Sequence, residues 1–215
     1  NINAVYASAN TSPVEISGLG NEAVTISDTT LAASVLNTLD GNTSGTVDAS
    51  TVTILTGAAA DVNTALTSDG ISNLGNESVY LTDTTVAASV LNTVVGNTSG
   101  AVNASTATTL TGTAAAANTA YDAGTAGTIS GLGNEEITVT GTATVSQINT
   151  ITGDTSGTVT ATISDNDMST LDGITESGHA LTISVTDASV AASNLNTLNG
   201  KTTVAVGVTS TTITG

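Results

Sequence analysis

The sequence predicts an α/β fold: a right-handed solenoid of strand-plus-short-helix units around a parallel sheet. Three observations carry this. One long phrase recurs at a spacing of about 55 residues. Short stretches alternate strictly between apolar and hydroxyl side chains. The stretches between them carry helix punctuation and an apolar arc.

The repeat orders everything else. From Ile16 the chain reads ISGLGNEAVTISDTTLAASVLNTLDGNTSG, and from Ile71 it reads ISNLGNESVYLTDTTVAASVLNTVVGNTSG. A degenerate third copy starts at Ile129 and a partial fourth near Leu181. Each copy divides into smaller units with a step of about 22 residues in the second half. In the first half the step alternates between roughly 23 and 33, the longer one carrying the ISGLGN-type stretch.

The strands follow from period two. Val24 and Ile26 interleave with Thr25 and Ser27, and Ile137 and Val139 with Thr138 and Thr140. Val159, Ala161 and Ile163 interleave with Thr158, Thr160, Thr162 and Ser164; Leu181, Ile183 and Val185 interleave with Thr182, Ser184 and Thr186. β-branched residues on both faces of such a stretch fit a strand with one buried side.

The helices follow from period 3.6. Asp28-Thr29-Thr30 supplies an N-cap, and Gly41 supplies the C′ glycine. Between them Leu31, Ala32, Val35, Leu36 and Leu39 share one arc, while Ala33, Asn37 and Asp40 face away. The sister segment from Gly57 to Ser68 places Val62, Ala65 and Leu66 together. Helices of two to three turns need neighbours to hold them. Each unit therefore buries a strand face against a helix face, and stacking closes the core. Residues 1–215 read as one array of about eight or nine coils, a rod about 40 Å long, with an all-β parallel β-helix as the alternative. A narrow repeated cross-section suits aliphatic ladders, in keeping with three tyrosines and no Phe or Trp. The opening residues resemble the second half of a helical segment, and Thr212–Gly215 resembles the stretch before one. The chain thus reads as a window on a longer array.

Composition excludes several classes. The 215 residues hold 18 acidic side chains against the single cation Lys201, a formal charge of -17. One cation cannot neutralise phosphates, so nucleic acid is excluded as a partner, as are anionic membrane surfaces. No apolar run is long enough to span a bilayer, so no membrane insertion is expected. Without cysteine there is no disulfide and no thiolate metal site. The mean hydropathy of +0.25 and the patterned apolar residues argue for order. At marine ionic strength the Debye length falls to roughly 4 Å, which makes so acidic a surface tolerable.

The units resemble the repeats of very long bacterial cell-surface proteins of the marine picocyanobacterial type. The phrases SDTTLAASVLNTLDGNTSGTVDASTVT (27–53), TDTTVAASVLNTVVGNTSG (82–100) and LTGTAAAANTAYDAG (110–124) carry the likeness. It implies an extracellular or cell-surface address and a structural, adhesive or motility-associated role, with self-association or continuation of the array as partner. It brings no set of functional residues with it.

Candidate chemistry is sparse. His179 is the one histidine, with Ser177, Asp172 and Glu176 nearby in sequence, but it lies in a turn and no nucleophile elbow accompanies it. Glu135 and Glu136, and Asp165 and Asp167, are carboxylate pairs assigned to turns with no apolar pocket to raise one pKa. No catalytic residue and no cofactor are expected. Calcium is the possible ion, with Asp165, Asp167 and Asp172 as weak candidate ligands and no EF-hand or β-roll spacing among them. Asp28, Asp83 and Asp187 recur just before helical segments and read as caps. The threonines of the strand face, Thr138/Thr140, Thr158/Thr160/Thr162 and Thr182/Ser184/Thr186, would form a hydroxyl–methyl array able to bind ice or glycan. Asp48, Tyr80 and Asn103 interrupt that face in the first half. The recurring asparagines (Asn37, Asn63, Asn92, Asn118, Asn149, Asn196) read as a solvated row on the outer helix face.

Overall fold

The computed structural model describes residues 2–9 and 17–215. Pro13 and the opening of the first repeat at Ile16 lie outside the described residues. In chain order the elements are α1 (Ile2–Ala9), β1 (Val24–Thr25), β2 (Thr30–Ala32), α2 (Ala33–Asn42), β3 (Val47–Asp48), β4 (Ile54–Gly57) and α3 (Ala59–Leu66). Then come β5 (Ile71–Ser72), β6 (Ser78–Leu81), β7 (Thr85–Ala87), α4 (Ala88–Asn97), β8 (Val102–Asn103), β9 (Thr109–Gly112) and α5 (Ala114–Thr125). They are followed by β10 (Ile129–Ser130), β11 (Glu136–Ala143), α6 (Val145–Asp154), β12 (Val159–Ile163), α7 (Met168–Leu171) and β13 (Ala180–Thr182). The last are β14 (Ser184–Val185), β15 (Ser189–Ala191), α8 (Ala192–Asn199), β16 (Gly207–Val208) and β17 (Thr212–Thr214). The protein is therefore α/β, and every strand pairing among the described residues is parallel.

The chain forms two compact units. The first holds a three-stranded sheet, β1-β3-β5, and a five-stranded sheet, β10-β8-β6-β4-β2. The second holds the five-stranded sheet β13-β12-β11-β9-β7 and two two-stranded ribbons, β14-β16 and β15-β17. Each strand pairs only with strands of the adjoining repeat, from 20 residues away (Thr160 with Ala180) to 27 (Thr109 with Glu136). Parallel partners need a crossover, and the short helices supply it.

The alternation read from the sequence fixes which side chains go inside. In the first unit Leu31, Leu55, Val79, Val102 and Ile129 lie in one column of partners, and from Leu55 onward all are buried. Val86, Leu110, Ile137 and Val159 make the corresponding column of the second unit. The helices close these columns with small stripes: Ala33, Leu36 and Leu39 on α2, Ala59, Val62 and Ala65 on α3, and Val145, Ile148 and Ile151 on α6.

Three local expectations are corrected. Leu31 and Ala32 belong to β2, where Leu31 pairs with Leu55, so α2 starts at Ala33. This rotates the buried stripe: Ala33 turns inward and Val35 is left exposed. On α3 the third buried residue is Ala59, and Leu66 is half-buried. Gly41 sits inside α2, which ends through an extended Thr43 rather than a left-handed glycine.

Candidate functional site

Asp83 and Asp187 cap helices, but not those that follow them. Asp83 Oδ2 accepts from the Ala59 N–H at 2.7 Å, the first residue of α3 in the preceding repeat. Asp187 Oδ2 likewise accepts from Met168 at the start of α7, and Asp165 Oδ2 from Val145 at the start of α6, both at 2.7 Å. A strand separates Asp83 from α4 and Asp187 from α8, whereas parallel stacking brings each carboxylate to the positive end of the helix behind it. Asp28 is exposed and does not cap α2, whose N-cap Ala32 has no side-chain bond.

The three calcium candidates are spread over separate tasks. Asp165 caps α6. Asp167 Oδ1 accepts from Ser169 Oγ at 2.6 Å and from the Thr170 N–H at 2.9 Å, as the N-cap of α7. The Ser169 hydroxyl, followed by Thr170, holds the Asp167 carboxyl below its usual range. Asp172 is the exposed C-cap of the same helix. Among the described residues no group of three or more His, Cys, Asp or Glu is placed to hold a metal ion.

His179 is built into the sheet. Ile137 N–H donates to Thr158 O, the residue before its partner Val159. One repeat later the Val159 N–H instead donates to His179 Nδ1 at 3.1 Å, and Gly178 has a left-handed φ of 88°. An imidazole nitrogen thus stands where a backbone carbonyl would. It accepts a bond only when unprotonated, and desolvation lowers the His179 pKa while Glu176 works in the opposite direction.

The threonine face is aligned in part. Thr111, Thr138 and Thr160 are successive partners, as are Thr142, Thr162 and Thr182. Thr140 falls in a register shift beside Gly141, whose φ is 76°. In the first unit the corresponding column runs Thr56, Tyr80, Asn103, Ser130, so Tyr80 and Asn103 interrupt it as expected, while Asp48 lies in the three-stranded sheet between Thr25 and Ser72.

The asparagines do not form a solvated row: Asn196 is exposed, but Asn37, Asn63, Asn92, Asn118 and Asn149 are half-buried. Asn37 Nδ2 donates to Asp61 O in the next helix, Asn3 Nδ2 to Val35 O, and Asn149 Nδ2 to Gly173 O. The side chain lies at the edge of the buried stripe, close enough to reach the neighbouring helix.

The most regular polar construction was not foreseen. Gly-Asn-Glu occurs at 20–22, 75–77 and 133–135, and Thr-Ser-Gly at 43–45, 98–100 and 155–157. The structure joins them pairwise. Thr43, Thr98 and Thr155 each donate Oγ1–H to the carbonyl of Glu22, Glu77 or Glu135, at 2.7, 2.8 and 2.8 Å. The same hydroxyls accept from Gly45, Gly100 and Gly157 N–H at 3.0 Å. Ser44, Ser99 and Ser156 N–H donate to Gly20, Gly75 and Gly133 O. A Cβ on Gly45, Gly100 or Gly157 would land on the same Glu carbonyl, so the threonine loop can approach only with glycine there.

Each glutamate then folds back on its own loop. Gly20, Gly75 and Gly133 N–H donate to the Oε2 of Glu22, Glu77 and Glu135 at 2.7, 2.8 and 2.8 Å. Tyr121 OH donates to Glu135 Oε2 at 2.9 Å and Tyr6 OH to Glu22 Oε2 at 3.3 Å. Glu77 and Glu135 are both 0% exposed; Glu135 lies in the turn before β11, as expected, but is buried there, whereas Glu136 belongs to β11 and not to a turn. The Gly20 N–H is the largest influence holding the Glu22 carboxyl down, and burial pushes the Tyr121 phenol up. Spacing could have found these pairs, since each threonine follows its glutamate by 21, 21 and 20 residues.

An open groove of about 520 Å³ in the first unit is lined by Ser50, Val52, Thr53 and Asn73–Asn76. Its Asn73, at φ 63°, donates Nδ2–H to Asp48 Oδ1 at 2.8 Å and holds that carboxyl below its usual range. No described helix is long and apolar enough to cross a membrane. A search of protein families, curated proteins and solved structures returns no match for this chain.

Proposed function

We propose that this chain is a non-catalytic structural segment of a long extracellular or cell-surface protein, and that it does its work as an α/β solenoid. The observation that carries the reading is the confinement of strand pairing to adjoining repeats. Such a chain has repeats that each supply the next with a dry face and a set of backbone partners. The recurrent threonine–glutamate pairs add a polar clamp between repeats. The functional polar groups of the chain serve cohesion: the aspartates cap, the asparagines bridge, and His179 completes a ladder. The surface address rests on the likeness to surface-protein repeats, the charge of -17 and the single Lys201. Self-association or continuation of the array is the expected partner, with divalent counter-ions drawn to the acidic surface.

Pulling the chain from both ends in a force experiment tests the mechanical reading. A solenoid extends in a series of similar increments, each about 80 Å for one repeat of stretched chain. A single cooperative event releasing most of the chain would defeat it.

A second reading has one supporting observation. The exposed partners Thr138 and Thr160, and Thr142, Thr162 and Thr182, form in-register files of hydroxyls and methyls. Strand spacing and side-chain period set the files about 4.8 and 7 Å apart, which suits a regular hydroxylated surface such as ice or a glycan. Absence of thermal hysteresis and of recrystallisation inhibition retires the ice version.

A further inference from the structure

The groove of about 520 Å³ in the first unit lies between two loops that stand one repeat apart. Ser50, Val52 and Thr53 come from the loop between β3 and β4, and Asn73, Leu74 and Asn76 from the loop between β5 and β6. Described repeats flank both loops. Thr53 N–H donates to Thr29 O of the preceding repeat, and Gly75 O accepts from Ser99 N–H of the following one.

One residue sets this loop apart from its sisters. Ser17-Gly18-Leu19-Gly20-Asn21 and Ser130-Gly131-Leu132-Gly133-Asn134 carry glycine where Ser72-Asn73-Leu74-Gly75-Asn76 carries Asn73. All three positions are left-handed, with φ of 87° at Gly18 and Gly131 and 63° at Asn73. A side chain is disfavoured there relative to glycine, and what this one adds is an amide at the groove. Its Nδ2 donates to Asp48 Oδ1 at 2.8 Å, and the Ser50 N–H donates to the same oxygen at 3.0 Å. Asp48 therefore orients groups on both walls. One repeat later Asn103 takes its place, and Asn103 Oδ1 accepts from the Ser105 N–H at 2.9 Å.

The lining selects a ligand by its chemistry. The Thr53 hydroxyl donates to Thr29 O at 3.2 Å, and the Ser50 hydroxyl bonds to Asp48. Both oxygens keep lone pairs, as do the amide oxygens of Asn73 and Asn76, so the lining is rich in acceptors and calls for hydroxyl donors. An anion is repelled, because no lining side chain is cationic and Asp48 adds negative charge to a chain already at -17. Calcium needs about six to eight oxygen ligands, and among the described residues no group of three His, Cys, Asp or Glu is placed to supply them. The volume suits a small molecule and far exceeds an ion. Val52 and Leu74 offer a small apolar patch to C–H groups.

We propose that this groove binds a short neutral saccharide through the amides of Asn73 and Asn76 and the hydroxyl oxygens of Ser50 and Thr53, with Asp48 as a positioning residue. A planar amide can donate to one hydroxyl of a vicinal pair and accept from the other. The site is separate from the threonine files of β11, β12 and β13 and does not depend on the solenoid, so its failure leaves both readings in place.

The test is an NMR titration of the ¹⁵N-labelled 215-residue chain with cellotriose, maltotriose, mannotriose and triacetylchitotriose, each to roughly 10 mM. At least one is expected to shift the Asn73 and Asn76 side-chain amides and the Gly75 N–H, with a Kd of about 1 mM. Asn73→Gly keeps the backbone that Gly18 and Gly131 adopt, and should weaken binding about tenfold. Asp48→Ala should do the same, whereas Asp48→Asn keeps the acceptor and should stay within about threefold of wild type. Unchanged signals outside the groove verify that each variant folds. Silence toward all four sugars overturns the proposal, as does binding that Asn73→Gly leaves intact. Calcium chloride or spermidine producing the same shifts, lost in Asp48→Asn, would make this a cation site and overturn it too.

Discussion

Glu135 and Glu77 occupy equivalent places in two repeats and are equally buried, yet the bonds their carboxylates accept differ. Glu135 receives the Tyr121 hydroxyl together with the Gly133 N–H. The helix before Glu77 reads Asn63-Thr64-Ala65-Leu66 where the other reads Asn118-Thr119-Ala120-Tyr121, so Leu66 replaces the phenol. Among the described residues Glu77 Oε1 has no hydrogen-bond partner. In the last repeat the glutamate itself is gone. Leu181 stands there, and Thr202 Oγ1 still donates to the Leu181 carbonyl at 2.7 Å. The threonine-to-carbonyl bond is therefore the constant part of the clamp. The carboxylate is an addition whose worth depends on how many donors meet it.

The comparison is broken most severely at the glycine that all three glutamate clamps share. Gly157→Ala should cost about 4 kcal/mol or more, because the added methyl meets the Glu135 backbone and no rotamer relieves it. Denaturant unfolding measures it, and a loss near that of an exposed Gly→Ala change would refute the close approach. Tyr121→Phe comes next. It strips one donor from a buried carboxylate and should cost about 2 kcal/mol by the same measurement. A neutral result would show the Tyr121 bond to be idle.

Leu66→Tyr sharpens the contrast from the other side. A phenol that donates to Glu77 as Tyr121 does to Glu135 should stabilise by about 1 kcal/mol. Destabilisation would mean that the Leu66 site cannot accommodate the ring. The smallest effect belongs to the clamp without glutamate. Folding favours neutral His179, so its contribution is complete above about pH 6.5 and fades as pH falls through its lowered folded value. Glu22, Asp48 and Asp167 are held down by their donors, so their contributions are lost only in the more acidic range below about pH 4. Melting curves between about pH 7 and pH 5 should therefore show a decline in wild type that is absent from His179→Ala. The same slope in both would remove His179 as its origin.

Much of the fold was legible before the structure. Val159-Thr160-Ala161-Thr162-Ile163 becomes β12 with Val159, Ala161 and Ile163 buried, because period two leaves no other way to hide them. Helix boundaries were less legible. Leu31 fits a helical arc, but its pairing with Leu55 decides in favour of a strand. Asp83 and Asp187 were recognised as caps and assigned to the wrong helix, since their targets lie 24 and 19 residues away, whereas Asp165 was read as an ion ligand and is a cap.

The sequence alone determined the α/β class and the inward-facing aliphatics, since these depend on local period and on which side chains avoid water; the step in the first half, read as alternating between roughly 23 and 33, is set by strand pairing at 23 to 24 residues. Tertiary structure decided the rest. It set which loop clasps Glu135, which helix Asp83 caps, why Asn37 reaches a neighbour, and that His179 replaces a carbonyl. Each of these is a directional bond between groups about twenty residues apart, and only the register of stacked strands brings donor and acceptor within reach.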